Sequence, residues 1–277
     1  MKRISFIMLV LLISCSNSTN HKKTDWDNYK LKGKVKTMTA ASYIAVEKFG
    51  EIEKDEKTSS NIFQFDSKGH ILESVLFKSD GSIDNKFTYA YDEKENQIEF
   101  NRFDSQGNLA FKIKNKYDAM DNETETNIYN TNGSLAYKVT YKYDVKRNKI
   151  ESRLFNPDGS LFTYEYYIND SIGNPIETNN FNPKGILQNK IISKYDKRSY
   201  QIEEDIFNVD GNLVAKSLFK YNERGNQIEE ISYKPDGSIL IRKSTKYFYD
   251  YYNNWVKSFE LEDGVPKYVI EREFIYY

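Results

Sequence analysis

Residues 135–143 read Leu135-Ala136-Tyr137-Lys138-Val139-Thr140-Tyr141-Lys142-Tyr143, and this alternation decides the fold. Leu135, Tyr137, Val139, Tyr141 and Tyr143 fall on one face, and Ala136, Lys138, Thr140 and Lys142 on the other. A period of two is that of a half-buried β-strand. Downstream, Asn156-Pro157-Asp158-Gly159-Ser160 is a turn: Pro suits the second position of a type I turn, and Gly supplies the left-handed residue that closes a bulged hairpin. A second turn signal, Tyr-Asp-x-x-Gly-Asn, stands nearly intact at 221–226. Asn96, Asn122, Asn148, Asn174 and Asn226 share one column of it, as expected of a residue that tolerates positive φ. Each unit therefore reads as two antiparallel strands.

The unit recurs every 26 residues. Gly81, Gly107, Gly133, Gly159, Gly185, Gly211 and Gly237 keep that step, as do Glu73, Glu99, Glu125, Glu151, Glu177, Glu203 and Glu229. A further unit, slipped by one or two residues, runs through Asp250, Asn254 and Gly264. The expected fold is all-β: an elongated antiparallel meander of tandem hairpins, roughly 16–18 strands in a single twisted and curling sheet, because open sheets rarely exceed about ten strands without curling. Residues 26–277 form one domain in this reading, with an N-terminal cap at 26–62 and about eight repeats over 63–277. The strand at 267–277 is expected to be an exposed edge, open to pairing with a partner.

Composition removes several functions. The chain has 40 Lys and Arg against 41 Asp and Glu, too balanced for an electrostatic nucleic-acid binder. The Glu column should form ladders with lysines such as Lys112, Lys138 and Lys190, each pair contributing roughly 0.2–1 kcal/mol. Aromatics reach 15% while the mean hydropathy is −0.74, which fits a sheet with one ringed face and one charged face. A single Cys and two His leave no internal disulfide, no Cys/His metal cluster and scarcely a catalytic triad. His70 sits in the turn column that mostly holds Asn, and the Asp-Gly turns at Asp80, Asp158, Asp210 and Asp236 lack the acidic alternation of a calcium loop. The expectation is no catalytic residue, no cofactor and no metal. Tyr89, Tyr91, Tyr117, Tyr137, Tyr141, Tyr143 and Tyr195 remain as contact candidates, since a row of Tyr can stack on sugar rings or grip a peptide. The competing reading makes them the half-buried core of the sheet.

At the N-terminus, Lys2 and Arg3 precede an apolar stretch from Ile4 to Ile13, too short to span a bilayer. It ends in Leu12-Ile13-Ser14-Cys15, which resembles the lipobox of bacterial lipoproteins. The resemblance implies a signal peptide at 1–14, acylation of Cys15 and a polar tether over 15–25. The unit Tyr-Asp-x-x-Gly-Asn-x-Ile-Glu, followed by an aromatic and Asp-Gly-Ser-Leu, resembles the YD repeats of the RHS family. That likeness covers residues 65–277 and implies hairpin repeats without a toxin domain. Small repeat lipoproteins of the Bacteroidetes are a nearer likeness and bring no mechanism. Together these give a lipid-anchored outer-membrane protein, periplasm-facing and non-enzymatic, that scaffolds an envelope protein. The alternative is a carbohydrate-binding lipoprotein using the tyrosine face.

Overall fold

The computed structural model describes residues 22–277, so the signal-peptide and Cys15 readings lie outside the described residues. A one-turn helix, α1 (Asp25–Asn28), precedes eighteen strands. These are β1 (Val35–Lys48), β2 (Glu51–Phe65), β3 (Ile71–Lys78), β4 (Ile83–Tyr91), β5 (Gln97–Phe103), β6 (Leu109–Tyr117), β7 (Glu123–Tyr129), β8 (Leu135–Tyr143) and β9 (Lys149–Phe155). The second half comprises β10 (Leu161–Asn169), β11 (Pro175–Phe181), β12 (Leu187–Tyr195), β13 (Gln201–Asn208), β14 (Leu213–Tyr221), β15 (Gln227–Tyr233), β16 (Ile239–Tyr249), β17 (Trp255–Glu262) and β18 (Val265–Tyr276). Every pairing is antiparallel, and all but one join sequence neighbours, which is the expected meander.

The sheet does not stay open. β1 pairs with β2 on one side and with β18 on the other, from Val35↔Tyr276 to Ile44↔Tyr268, and the eighteen strands close into a barrel. This corrects two expectations: the single curling sheet is a closed one, and the strand at 267–277 is no free edge. The segment 26–62 likewise contributes α1, β1 and most of β2, so it is wall and closing seam. The physical reason lies in the repeat. The repeat hairpins carry register shifts at the same places, as at Ala90/Tyr91, Lys116/Tyr117 and Lys142/Tyr143. A bulge bends and twists its strand, so identical bulges at a constant step accumulate curvature in one sense.

Turns of the two kinds gather at opposite ends. At the glycine rim, Gly81, Gly107, Gly133, Gly159, Gly185, Gly211 and Gly237 all have φ of 80–83°, the left-handed residue the sequence called for. At the asparagine rim the explanation differs from the expected one. Positive φ belongs to the preceding residue, as at Glu95, Asp121, Arg147 and Asn253, and not to the Asn. The Asn side chains are there to be buried: Asn96 donates from its backbone N to Asp92 Oδ1 at 2.8 Å and from Nδ2 to Asp92 Oδ2 at 2.9 Å. Asn122, Asn148 and Asn174 repeat both bonds with Asp118, Asp144 and Asp170.

The charged face points outward. Lys112 and Lys138 reach Glu99 and Glu125 at 3.2 and 2.6 Å, and Lys116, Lys142, Lys194 and Lys220 are 60–68% exposed beside Glu125, Glu151, Glu203 and Glu229. Lys190 departs from the expected ladder and lies 5.6 Å over the ring of Phe207. The ringed face lines the lumen. Buried apolar side chains are few, and six of them, Leu31, Val35, Met38, Phe63, Phe65 and Ile71, form one cluster where the N-terminal segment enters. Barrels of roughly 16–18 strands are too wide for facing side chains to meet, and the remaining inner rings are only half-buried.

Candidate binding surface

The inner wall is ordered by its tyrosines. Pairing of β5 with β6 stops at Glu99↔Lys114, and beyond it the Tyr117 hydroxyl donates to the Gln97 carbonyl at 2.9 Å. Tyr91, Tyr143 and Tyr195 do the same to Ile71, Glu123 and Pro175 at 3.1, 2.8 and 3.0 Å. Asn169, which stands where the column has lost its Tyr, donates Nδ2 to the Lys149 carbonyl at 2.9 Å. A backbone carbonyl left without a ladder partner is costly when shielded from water, and these side chains supply the partner. Tyr141 meets Thr126 Oγ1 at 3.2 Å and lies 4.1 Å under Lys149, while Tyr89 packs on Phe100 with centroids 5.2 Å apart. Tyr137 lies 6.3 Å from Phe162, across β9. The structure therefore brings all seven candidate tyrosines to one face, where four of their hydroxyls bond backbone and the rings border the lumen.

Ionisable groups inside the barrel feel that enclosure. Burial raises the Glu123 carboxyl above its ordinary range, opposed by Thr126 and Lys149, and raises Glu260, opposed by Lys243. Burial raises the Tyr141 hydroxyl to about 12 and lowers the Arg272 guanidinium to about 10. Arg272 lies 3.4 Å over the Trp255 ring, with Nε and Nη1 lacking hydrogen-bond partners. A basin of about 420 Å³ on the inner wall of β15–β18 is bordered by Glu230, Lys243, Tyr247, Glu260 and Tyr268. Among the described residues no group of three or more His, Cys, Asp or Glu is placed to hold a metal ion. His70, buried at the asparagine rim, has its Nε2 3.5 Å from Glu95 Oε2 and its ring 4.7 Å from that of Tyr91.

The feature the sequence reading missed is the N-terminal segment, which is seated across the asparagine rim. Asp25 Oδ2 accepts from the Ile71 backbone N at 2.8 Å and lies 3.0 Å from the Tyr91 hydroxyl, whose one proton is shared between this carboxylate and the Ile71 carbonyl. Trp26 Nε1 donates to the Val35 carbonyl at 2.9 Å, and the Tyr29 ring lies 5.2 Å from Phe63. Lys22 bonds Asn96 Oδ1, and Lys30 reaches the Gly225 carbonyl on another part of the rim. Asn254 holds Lys32 from both sides, accepting from its N at 2.7 Å and donating to its O at 2.9 Å. The only available signals were Trp26 and Tyr29, two rings just after a polar run, where a solvated tether would carry none.

Fold and wall define a closed antiparallel barrel of hairpin repeats with a charged outer face. No known protein family matches the sequence, and no curated protein does. Among solved structures the chain is similar to a porin-like protein from Bacteroides uniformis, at 10% identity and a TM-score of 0.43, covering 87% of this chain and 96% of that one. A porin-like protein from Bacteroides vulgatus is similar at 11% identity and 0.40, covering 88% and 98%. TcdB2-TccC3 without its hypervariable C-terminal region is similar at 14% identity and 0.32; the match covers 90% of this chain and only 16% of that one.

Proposed function

We propose that the protein is a non-enzymatic, lipid-anchored barrel of the cell envelope that acts as a scaffold for another protein. The observation that carries this reading is the outward Lys/Glu ladder, which suits a wall facing water. Lys or Arg on a lipid-facing barrel wall costs about 2–4 kcal/mol at mid-bilayer, so such a barrel stands beside a membrane and needs another means of attachment. Acyl chains on Cys15 supply it, since two or more chains anchor stably. Lys22, which is seated on the asparagine rim, follows Cys15 by seven positions. At no more than about 3.6 Å per residue the asparagine rim then sits within roughly 25 Å of the anchor, and the glycine rim faces away. There the β1–β2 hairpin runs past the wall, since β1 leaves β18 after Ile44 and β2 joins β3 only from Ser59. Phe49, fully exposed, caps its tip.

Fractionation tests the anchor. Cys15→Ala should move the protein from membranes to the soluble fraction, and retention of that variant in carbonate-washed membranes would refute lipid anchoring. A second reading, glycan binding, is favoured by the half-buried rings around the lumen. It expects quenching of tyrosine and tryptophan fluorescence on adding soluble polysaccharides, and an unchanged spectrum removes it.

A further inference from the structure

Among β4, β6, β8, β10, β12, β14 and β16 only β10 carries no outward lysine or arginine, although the ladder position opposite Glu99 on β4 is Ala90. On the other strands of its kind the outward residues include lysine or arginine: Lys86 on β4, Lys112, Lys114 and Lys116 on β6, Lys138 and Lys142 on β8, Lys190 and Lys194 on β12, Lys216 and Lys220 on β14, Arg242 and Lys246 on β16. The corresponding outward residues of β10 are Tyr164, Tyr166 and Ile168. The consequence falls on Glu177. In the register, Lys142 stands opposite Glu151, Lys194 opposite Glu203 and Lys220 opposite Glu229, but Glu177 has Ile168 on one side and Ile192 on the other. Each other member of the Glu column has a lysine or arginine within 4 Å, and among the described residues Glu177 has only the Nδ2 of Asn179 at 2.7 Å. The cation that could have served it, Lys190, lies over Phe207.

Around this carboxylate the wall is apolar and accessible. Ile168 and Ile172 are 51% and 50% exposed, and with Ile176 and Ile192 they border a dent of about 490 Å³ that includes Glu177. Tyr164 and Phe181 extend the patch, their rings stacked 5.0 Å apart. Charge favours a cation here: Asp170 and Asp196 also border the dent, and its lysine, Lys194, is held by Glu203 at 2.8 Å. Tyr164 and Tyr166 have partners of their own, Tyr164 under Arg153 at 5.7 Å and Tyr166 beside Glu151, but Ile168 puts nothing in place of the lysine that β8 and β12 carry at that step.

We propose that the outer face of β10–β12 around Glu177 docks a partner protein through a segment that places a lysine or arginine between apolar side chains. This rests on the scaffold reading and names its contact surface. The partner's cation completes the ladder step that Ile168 leaves open, and its apolar neighbours fill the isoleucine dent. A mobile surface lysine would be a poor substitute for one already ordered by a partner backbone, because holding a long side chain in a single geometry carries an entropy cost.

The test uses the full chain carrying Cys15→Ala, which leaves the barrel unaltered. The probe is a fluorescein-labelled pentapeptide with lysine between two pairs of aliphatic residues, compared with its glutamate version by anisotropy. The expected result is saturable binding of the lysine peptide, with the glutamate version weaker by about tenfold or more. Ile168→Lys installs the residue that neighbouring units carry, so it should keep the melting temperature and lose the binding; Glu177→Lys should reverse the charge preference. Equal binding of the two peptides, no binding at millimolar concentration, or binding that survives Ile168→Lys would each overturn the proposal. Ile168-dependent flotation with anionic vesicles, or Ile168-dependent capture of a polysaccharide in place of the peptide, would overturn it in favour of that other ligand. None of these outcomes depends on Cys15, so failure here is separable from failure of the anchoring reading.

Discussion

The two rims of the barrel are made from the same 26-residue unit, yet they hold very different things. At the glycine rim the turns are self-contained: Asp80, Asp158 and Asp236 accept from the backbone and hydroxyl of the serine two residues on, and no other side chain among the described residues bonds them. At the asparagine rim the turns are the seat of the N-terminal segment, and their Asn side chains are 1–9% exposed. The difference shows that a repeat can be chemically uniform and energetically polarised. Stability concentrates where a non-repeating segment gives the repeats something to pack on, because solenoid-like units contact only their neighbours otherwise.

The largest effect should come from a pair of glycines. A methyl at Gly69, on the asparagine rim, would lie 2.6 Å from two ring atoms of Trp26 at φ +99°, whereas at Gly81 it would meet nothing within 4 Å at φ +83°. Gly81→Ala should cost only the left-handed strain of about 1–2 kcal/mol. Gly69→Ala adds overpacking against the seated segment, for roughly 2–5 kcal/mol in total. Urea melts of both variants measure this, and equal losses would show that the N-terminal segment contributes nothing to the barrel.

Next comes the side-chain version of the same contrast. Asn254 is 1% exposed and bonds Lys32 N, Lys32 O and the Tyr276 hydroxyl, so Asn254→Ala strands buried groups at about 2–3 kcal/mol. Asp236→Ala, in an exposed turn, should cost at most about 1 kcal/mol. Hydrogen exchange should follow the same order. Amides beside Asn254 should be protected nearly to global unfolding, and those beside Asp236 should exchange through local opening.

How much of this was legible in the residues follows the same division. The strands, their order and the glycine-rim turns come from period and local chemistry, and Tyr137–Tyr141–Tyr143 fell on the inner face as the alternation required. Closure was not legible, because a bulged hairpin reads identically in an open spiral and in a ring. What decides between them is summed curvature together with β1, whose Ser42 pairs with Ile270, 228 positions away, and with Ser59, 17 positions away. The asparagine column was placed correctly and explained wrongly: local propensity suggested φ, while burial between successive turns of the rim, as where Asn96 meets Asp121 and Asn122 meets Arg147, was the cause. Glu177 was read as one more member of its column, although the absence of lysine at Tyr164, Tyr166 and Ile168 was already visible.

Acid titration separates the outer wall from the inner one. Bonds from Lys116 and then Lys138 hold the Glu125 carboxyl down at about 2, against an ordinary value of 4.5. Its contribution is fully present above pH 4.5, declines as pH falls from there and is gone below about 2. Glu125→Gln should therefore flatten that acid limb, by about 1 kcal/mol or less because both lysines are partly exposed. Glu123 has the opposite sign. Burial raises it, so its ionised form opposes folding at neutral pH, and that opposition is relieved as pH falls through the raised value towards 4.5. Glu123→Gln should raise stability at pH 7 and change it little at pH 4, and a loss at pH 7 would show that the carboxylate is needed ionised.

The smallest effect returns to the asparagine rim and to the residue before each Asn, or before His70 and Tyr200 where these replace it. Gly69, Gly173 and Gly225 fill that left-handed position in three turns, while Glu95, Asp121, Arg147, Ser199 and Asn253 occupy it elsewhere at φ of 63–70°. A side chain there is strained by about 1–2 kcal/mol, which glycine removes, at the expense of more freedom in the unfolded chain. Arg147 and Glu95 offset the strain through contacts, Arg147 with Asn122 Oδ1 at 3.1 Å and Glu95 with Lys68 at 2.8 Å. Among the described residues the side chain of Ser199 makes no such contact, and its backbone N donates to the Asp196 carbonyl at 2.9 Å. Ser199→Gly should therefore gain about 0.5 kcal/mol, whereas Arg147→Gly should gain nothing. Matching denaturation midpoints for the two would mean that the arginine contacts carry no weight.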